Sequence, residues 1–243
     1  MFKRAIKRLY EPEYLLGKRS WAGEAQTAGQ VYKSLSTVAW PAAAEAVLIG
    51  LIAFVDTIMV ATVGSTAIAA TGLTNQPRML FFAFFFALNA GVTAIVSRRK
   101  GENDREGANK CLAQALIICF ALSIVLCSLA LVIAEPLMYF AGANEDTIVD
   151  GVVYLRITIV GMAFVSLGMV INAAQRGTGN TQISMRTNLI ANIVNIVFNY
   201  LLINGIWFFP KLGVKGAAIA TLLGNIVSCF MSFVSVLYKE DFL

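Results

Sequence analysis

Histidine is absent from this 243-residue chain, and cysteine is scarce. The four cysteines, Cys111, Cys119, Cys127 and Cys229, form no paired Cys motif, so we do not expect zinc or haem ligation. The glycine-rich loop that binds nucleotide phosphates is also missing, which leaves ATP-driven pumping by this chain without support. We therefore expect no cofactor and no enzymatic activity.

Charge is scarce as well. Charged residues make up 14% of the chain, hydrophobic residues make up 58%, and the mean hydropathy is +0.73. Soluble domains carry about 25% charged residues, so this composition indicates a lipid bilayer. Apolar runs of membrane-spanning length predict an all-α bundle of six transmembrane helices. The predicted spans are residues 36–61, 78–97, 111–134, 152–174, 183–205 and 214–238.

Basic residues predict the orientation of the bundle. Of the 19 Lys and Arg, 15 fall in the N-terminal tail, the second and fourth loops and the C-terminus. Basic residues favour the cytoplasmic side, so both termini are predicted to be cytoplasmic in a multi-pass protein of the cell (inner) membrane. This topology explains the positive charge without a nucleic-acid partner.

The predicted domain organisation is a basic tail, residues 1–34, followed by a six-span lobe, residues 35–240. In the tail, four apolar side chains recur at helical spacing: Phe2, Ile6, Leu9 and Tyr10. The pattern fits a short helix on the anionic membrane surface. A solvated basic tail fits equally well.

Asp56 lies within an almost wholly apolar stretch, residues 47–60. A carboxylate at membrane depth costs about 2.5 to 3.5 kcal/mol on insertion scales, so Asp56 predicts a functional site. Glu45 lies on the same face of the helix, about 16 Å deeper. We interpret Glu45 as a cavity-lining group that attracts a cationic substrate.

Polar residues in the last two spans form stripes. Four asparagines of the fifth span lie within an arc of about 60°: Asn188, Asn192, Asn195 and Asn199. The sixth span carries Thr221, Asn225, Ser228, Ser232 and Ser235 on a similar arc. In a bilayer such stripes face one another or a watery cavity. Asn89 and Gln114 are further candidates for the cavity wall or for pairing across helices.

Four of these polar residues are predicted to lie at one level. Asp56, Asn195, Asn199 and Thr221 are each about 8 to 13 Å below the outer ends of their helices. Their oxygen atoms suit a small alkali cation such as sodium, and the carboxylate alone suffices for a proton. The alternative for each asparagine is a hydrogen bond that only joins neighbouring helices.

Several segments together resemble the multidrug and toxic compound extrusion (MATE) family. They are PAAAEAVLIGLIAFVDTIMVATVG (41–64), GVTAIVSRRKGEND (91–104), GTGNTQISMRTNLIANIVNIVFNYLLIN (177–204) and LGVKGAAIAT (212–221). The resemblance covers residues 35–240 and implies the N-terminal lobe of a two-lobed, twelve-helix antiporter. Such antiporters export amphipathic or cationic compounds in exchange for sodium ions or protons.

The resemblance also implies residue roles. It carries the family's cation ligands onto Asp56, Asn195, Asn199 and Thr221, although Asn199 stands where the family pattern leads one to expect Asp. Pro41 matches a proline associated with bending of the first span. With Asp56 as the sole carboxylate, and because desolvation favours the neutral form of an acid, we expect proton coupling over sodium coupling.

The length of the chain, enough for one six-helix lobe, leaves more than one function open. A twelve-helix transporter would need a second six-helix lobe, from a missing C-terminal half or from a partner chain. One alternative is a flippase for lipid-linked oligosaccharides, whose cavity would be lined with Arg and Lys, whereas here only Arg156 approaches a span interior. Another is a half-length, non-transporting membrane assembly partner.

Overall fold

The structure is a computed structural model that describes residues 28–207 and 209–237. Within these ranges the chain forms helices joined by short turns, and no strand occurs there. The helices are α1 (Ala28–Ala61), α2 (Ser65–Leu73), α3 (Asn75–Gly101), α4 (Arg105–Val132), α5 (Ala134–Phe140), α6 (Ile148–Gly177), α7 (Thr181–Asn204) and α8 (Val214–Leu237). The all-α class predicted from the sequence is confirmed.

Five stretches of the described chain are long and apolar enough to cross a membrane. They are Ser65–Gly101, Arg105–Val132, Ile148–Gly177, Thr181–Asn204 and Val214–Leu237. The first predicted span lies within α1, whose apolar part, Ala46–Ala61, is shorter than these five. The short helices α2 and α5 were not predicted, because each is too short to produce a span-length apolar signal.

The chain divides into two compact units, Met1–Ala44 and Glu45–Leu243. The described part of the first unit is the beginning of α1, where Ser36 and Thr37 each donate a hydroxyl hydrogen bond to the Lys33 carbonyl oxygen. The helix continues through Pro41 without interruption. Residues 2–10, for which an interfacial helix was considered, lie outside the described residues, whereas the last residues of the predicted tail, 28–34, belong to α1.

In the second unit, α6 is the central helix. It packs against α3, α4 and α8, and 61% of its most apolar stretch is buried, against 28% to 39% for the other four spans. Hydroxyls of α3 fix its register on α6: Thr93 donates to the Ala173 carbonyl oxygen at 3.0 Å and Ser97 to that of Gly177 at 2.9 Å. The polar side chains of α6 therefore have fixed positions inside the bundle.

Helix α8 packs against both α6 and α7, and glycines permit the close approach to α7. A Cβ atom on Gly216 would lie 2.7 Å from the Leu202 carbonyl oxygen, and one on Gly224 would lie 3.1 Å from that of Ala191. Small residues let membrane helices approach closely. The polar stripes of α7 and α8 are consequently brought face to face.

Candidate functional site

The four predicted cation-site residues are joined by hydrogen bonds. Asn199 Nδ2 donates to Asp56 Oδ1 at 2.7 Å and to Asn195 Oδ1 at 3.2 Å. Asn195 Nδ2 lies 3.4 Å from Thr221 Oγ1, and the Thr221 hydroxyl donates to the Ala217 carbonyl oxygen at 3.0 Å. Side chains from α1, α7 and α8 thus form one cluster, which we call the Asp56 cluster.

The Asp56 cluster is buried, so each of its polar atoms needs a hydrogen-bond partner or a bound cation. Asn199 is 2% exposed and Asn195 is 6% exposed. The Asn199 Oδ1 atom is buried and accepts no hydrogen bond from the described residues. An unused amide oxygen beside a carboxylate is a position for a cation or for another hydrogen-bond donor, because oxygen donors of this kind suit small hard cations.

A first cavity, of about 380 Å³, lies on one side of the Asp56 cluster. Its wall combines both predicted stripes with residues of α1 and α6. The polar lining residues are Asp56, Asn172, Arg176, Asn188, Asn192, Asn195, Thr221, Asn225 and Ser228. The candidates Asn188, Asn192 and Asn225 therefore lie on a cavity wall together with the cluster.

A second cavity, of about 290 Å³, lies on the other side of the cluster. Asp56 and Thr221 line both cavities, whereas the other polar residues of the second cavity are absent from the first. They are Thr57, Thr71, Asn75, Arg78 and Tyr154. These residues come from the end of α1, from α2 and from the beginnings of α3 and α6, so the two cavities occupy opposite halves of the bundle.

Two predicted cavity residues lie elsewhere. Gln114 is on the exposed side of α4, a helix that packs against α3 and α6 and contributes no residue to either cavity. Asn89 is 6% exposed inside the bundle and also lines neither cavity. Neither residue lines the two cavities described above, so a place for them on a substrate cavity stays a prediction.

Other predicted residues have different positions or are not described. Ser232 and Ser235 do not line the first cavity but join α8 to α6: the Ser232 hydroxyl lies 3.4 Å from Asn172 Oδ1, and Gln175 Nε2 donates to Ser235 Oγ at 2.6 Å. The side chains of Pro41 and Glu45 lie outside the described residues.

Sequence reasoning missed the basic residues of the cavities. Arg156, expected to approach a span interior, is exposed on α6. Arg176 instead lines the first cavity and Arg78 the second. Arg78 is the first residue of the predicted second span, and Arg176 falls in the loop after the predicted fourth span, so hydropathy alone places neither inside the bundle. Asn172 could have been recognised as a candidate cavity residue, since it is an amide within the predicted fourth span and lies one helical turn before Arg176.

Comparison with known proteins supports a family assignment. The family model MatE matches residues 41–201. The FAD transporter of Shewanella oneidensis is 32% identical over 188 residues, which cover 77% of this chain and 42% of that protein. The uncharacterized transporter YisQ of Bacillus subtilis is 28% identical, over 84% of this chain and 45% of that protein. The probable multidrug resistance protein NorM of Thermotoga maritima is 25% identical, over 88% and 46%.

Solved structures agree. A multidrug resistance MATE family transporter in an outward-facing conformation superposes with a TM-score of 0.78 at 26% identity, over 86% of this chain and 46% of that one. A transporter of the MOP superfamily from Pyrococcus furiosus gives a TM-score of 0.79 at 25% identity, over 87% and 46%. The chain spans about half the length of the curated relatives it matches, consistent with one lobe. The family expected from the sequence is confirmed: this integral membrane chain belongs to the MatE family.

Proposed function

We propose that this chain is one lobe of a secondary active antiporter, in which a cation bound at Asp56 drives export of amphipathic or cationic compounds. The observation that carries the proposal is the Asp56 cluster itself. Asp56 is the one acid among the residues that line the two cavities, and its neighbours offer amide and hydroxyl oxygens. Acids at membrane depth mark ion pathways and proton relays.

The proposed coupling ion is a proton, with sodium as the competitor. Asn199 donates an N–H to Asp56 and adds no negative charge, so a bound sodium ion would be balanced by one carboxylate. A proton needs only that carboxylate. Sodium would instead use the Thr221 hydroxyl and the unpaired Asn199 Oδ1 as further oxygen ligands.

Transport by this mechanism requires a second lobe. Transport sites lie between repeats that rock against each other, so one lobe supplies half of a substrate cavity. The apolar surface of α1 is compatible with such a lobe or with lipid: Leu51 is 57% exposed, Phe54 64% and Ile58 51%. We also propose that both termini are cytoplasmic, on the distribution of basic residues.

A second substrate class has a specific observation in its favour. Arg176 lines the first cavity, where its Nη1 lies 3.2 Å from Ser184 Oγ, and one relative is named as an FAD transporter. A guanidinium binds phosphate groups well, so an anionic dinucleotide is the competing substrate. A lipid-linked oligosaccharide is less well supported, because Arg176 is the one basic residue in the described lining of that cavity.

The experiment that tests the proposal is transport by the complete two-lobed protein in proteoliposomes under an imposed proton or sodium gradient. Ethidium represents cationic amphipathic substrates and FAD represents anionic ones. Gradient-dependent movement of ethidium supports drug export. Movement of FAD alone would show that the substrate is an anionic dinucleotide instead, and movement of neither compound under any gradient would contradict the proposal.

A further inference from the structure

The two cavities meet at the same two side chains. Asp56 and Thr221 line both, while the remaining lining residues differ completely. The first cavity extends towards the end of α6 and the beginning of α7, through Arg176 and Asn188. The second extends towards the opposite ends of the helices. The Asp56 cluster therefore separates two spaces that open towards opposite sides of the bundle.

Residues of the second cavity indicate that it contains water. Arg78 Nε is buried and has no hydrogen-bond partner among the described residues, and Arg78 lines this cavity together with Asn75, Thr71 and Tyr154. Buried polar groups that lack a protein partner are commonly paired with water. A volume of about 290 Å³ accommodates several water molecules, since one occupies about 30 Å³ of the liquid.

We propose that the second cavity is a water-filled route by which the coupling cation reaches Asp56 from the membrane side at which α1 ends, separate from the substrate cavity. The proposal rests on the proposed role of Asp56 in cation coupling. Substrate would occupy the first cavity, and the cation would enter or leave Asp56 through the second. The Asp56 cluster is then the barrier between the two spaces.

The size of the second cavity favours a small ion on this route. At about 290 Å³ it is smaller than the first cavity, at about 380 Å³, so a small ion fits it more readily than a bulky organic cation does. The positive charge of Arg78 on its wall opposes a cation of either size and does not distinguish between them. A proton or a small monovalent ion can approach Asp56 through water.

Accessibility of position 56 to silver ions tests the route. Silver is a small monovalent cation that replaces the proton of a thiol and blocks later labelling by a maleimide. The chain would carry Asp56→Cys after replacement of its four native cysteines by alanine. Silver nitrate in chloride-free buffer would be applied to intact cells or to inside-out vesicles, and free thiol would then be measured with a fluorescent maleimide after denaturation.

Matched variants identify the path taken. Thr71→Phe narrows the second cavity alone, and Asn192→Phe narrows the first cavity alone. Ser123→Cys is the unreactive control, because Ser123 is 1% exposed and lines neither cavity. Retained reactivity of position 56 from one side shows that a phenylalanine variant is still folded.

We expect silver to block position 56 from both sides, Thr71→Phe to abolish the reaction only from the side at which α1 ends, and Asn192→Phe to abolish it only from the other. Reaction from the first-cavity side alone, no reaction from either side, or no effect of Thr71→Phe would overturn the route. These results are separate from the proposed function, which fails instead if Asp56→Asn leaves antiport intact.

Discussion

Asn199 donates a 2.7 Å hydrogen bond to Asp56 across the space between α7 and α1. The two residues are separated by 143 positions in the chain, and the bond joins the helix that carries the single acid to the helix that carries the amide stripe. Because Asn199 also donates to Asn195, binding of a cation at Asp56 would alter the hydrogen bonds of both asparagines.

Asn199→Asp is expected to strengthen sodium binding. The substitution places a second carboxylate beside Asp56, within the reach of the present 2.7 Å hydrogen bond, and hard oxygen ligands with higher negative charge favour small cations. Isothermal titration calorimetry with sodium chloride would compare the variant with the unmodified chain. Asn204→Asp is the control, because Asn204 is exposed at the end of α7. Equally tight sodium binding before and after the Asn199 change would contradict our preference for protons.

Gly216→Leu is expected to destabilise the bundle. The new Cβ atom would lie 2.7 Å from the Leu202 carbonyl oxygen, so α8 would have to move away from α7. Overpacking of this kind costs about 1 to 3 kcal/mol. Thermal unfolding in detergent measures the loss. Gly50→Leu is the control, since a Cβ at Gly50 meets no atom within 4 Å, and a similar melting temperature for both variants would show that the close approach is not important.

The 243-residue chain alone is expected not to export substrate. One lobe offers half a cavity, and alternating access requires a second lobe to move against it. The purified chain would be reconstituted under a proton or sodium gradient, with its oligomeric state measured in parallel. Gradient-dependent efflux by a monomer would contradict the expectation. Efflux by a dimer would show that a second copy serves as the missing lobe.

Much of the fold could be predicted from hydropathy, because the five long apolar stretches of the described residues give a strong signal. The juxtaposition of Asp56, Asn195, Asn199 and Thr221 could also be predicted, since helical rise and direction determine the depth of each residue. Gln114 shows the limit of this reasoning. Gln114 lies on the exposed side of α4, and which face of a helix meets its neighbours depends on packing between residues far apart in sequence.

The second cavity could not be predicted at all. It depends on α2, which is too short for a span signal, and on Arg78, which hydropathy assigns to the edge of the second span. Asn172 could have been predicted as a cavity residue, because an amide inside an apolar span is as unusual on α6 as on α7. Arg176, one helical turn further on, could then have been placed on the same face. Their position on the cavity wall follows from the packing of α6 against α8, which the sequence pattern does not specify.

Coupled transport by Asp56→Asn tests the central claim most directly. The variant keeps the size of the side chain and removes its charge, and it would be made in the complete two-lobed protein and reconstituted in proteoliposomes under the gradient that drives the unmodified transporter. Glu135→Gln is the control, because Glu135 is an exposed acid outside both cavities. We predict that Asp56→Asn inserts normally and loses uphill efflux, whereas Glu135→Gln retains it. Uphill efflux by Asp56→Asn at the unmodified rate would contradict the account.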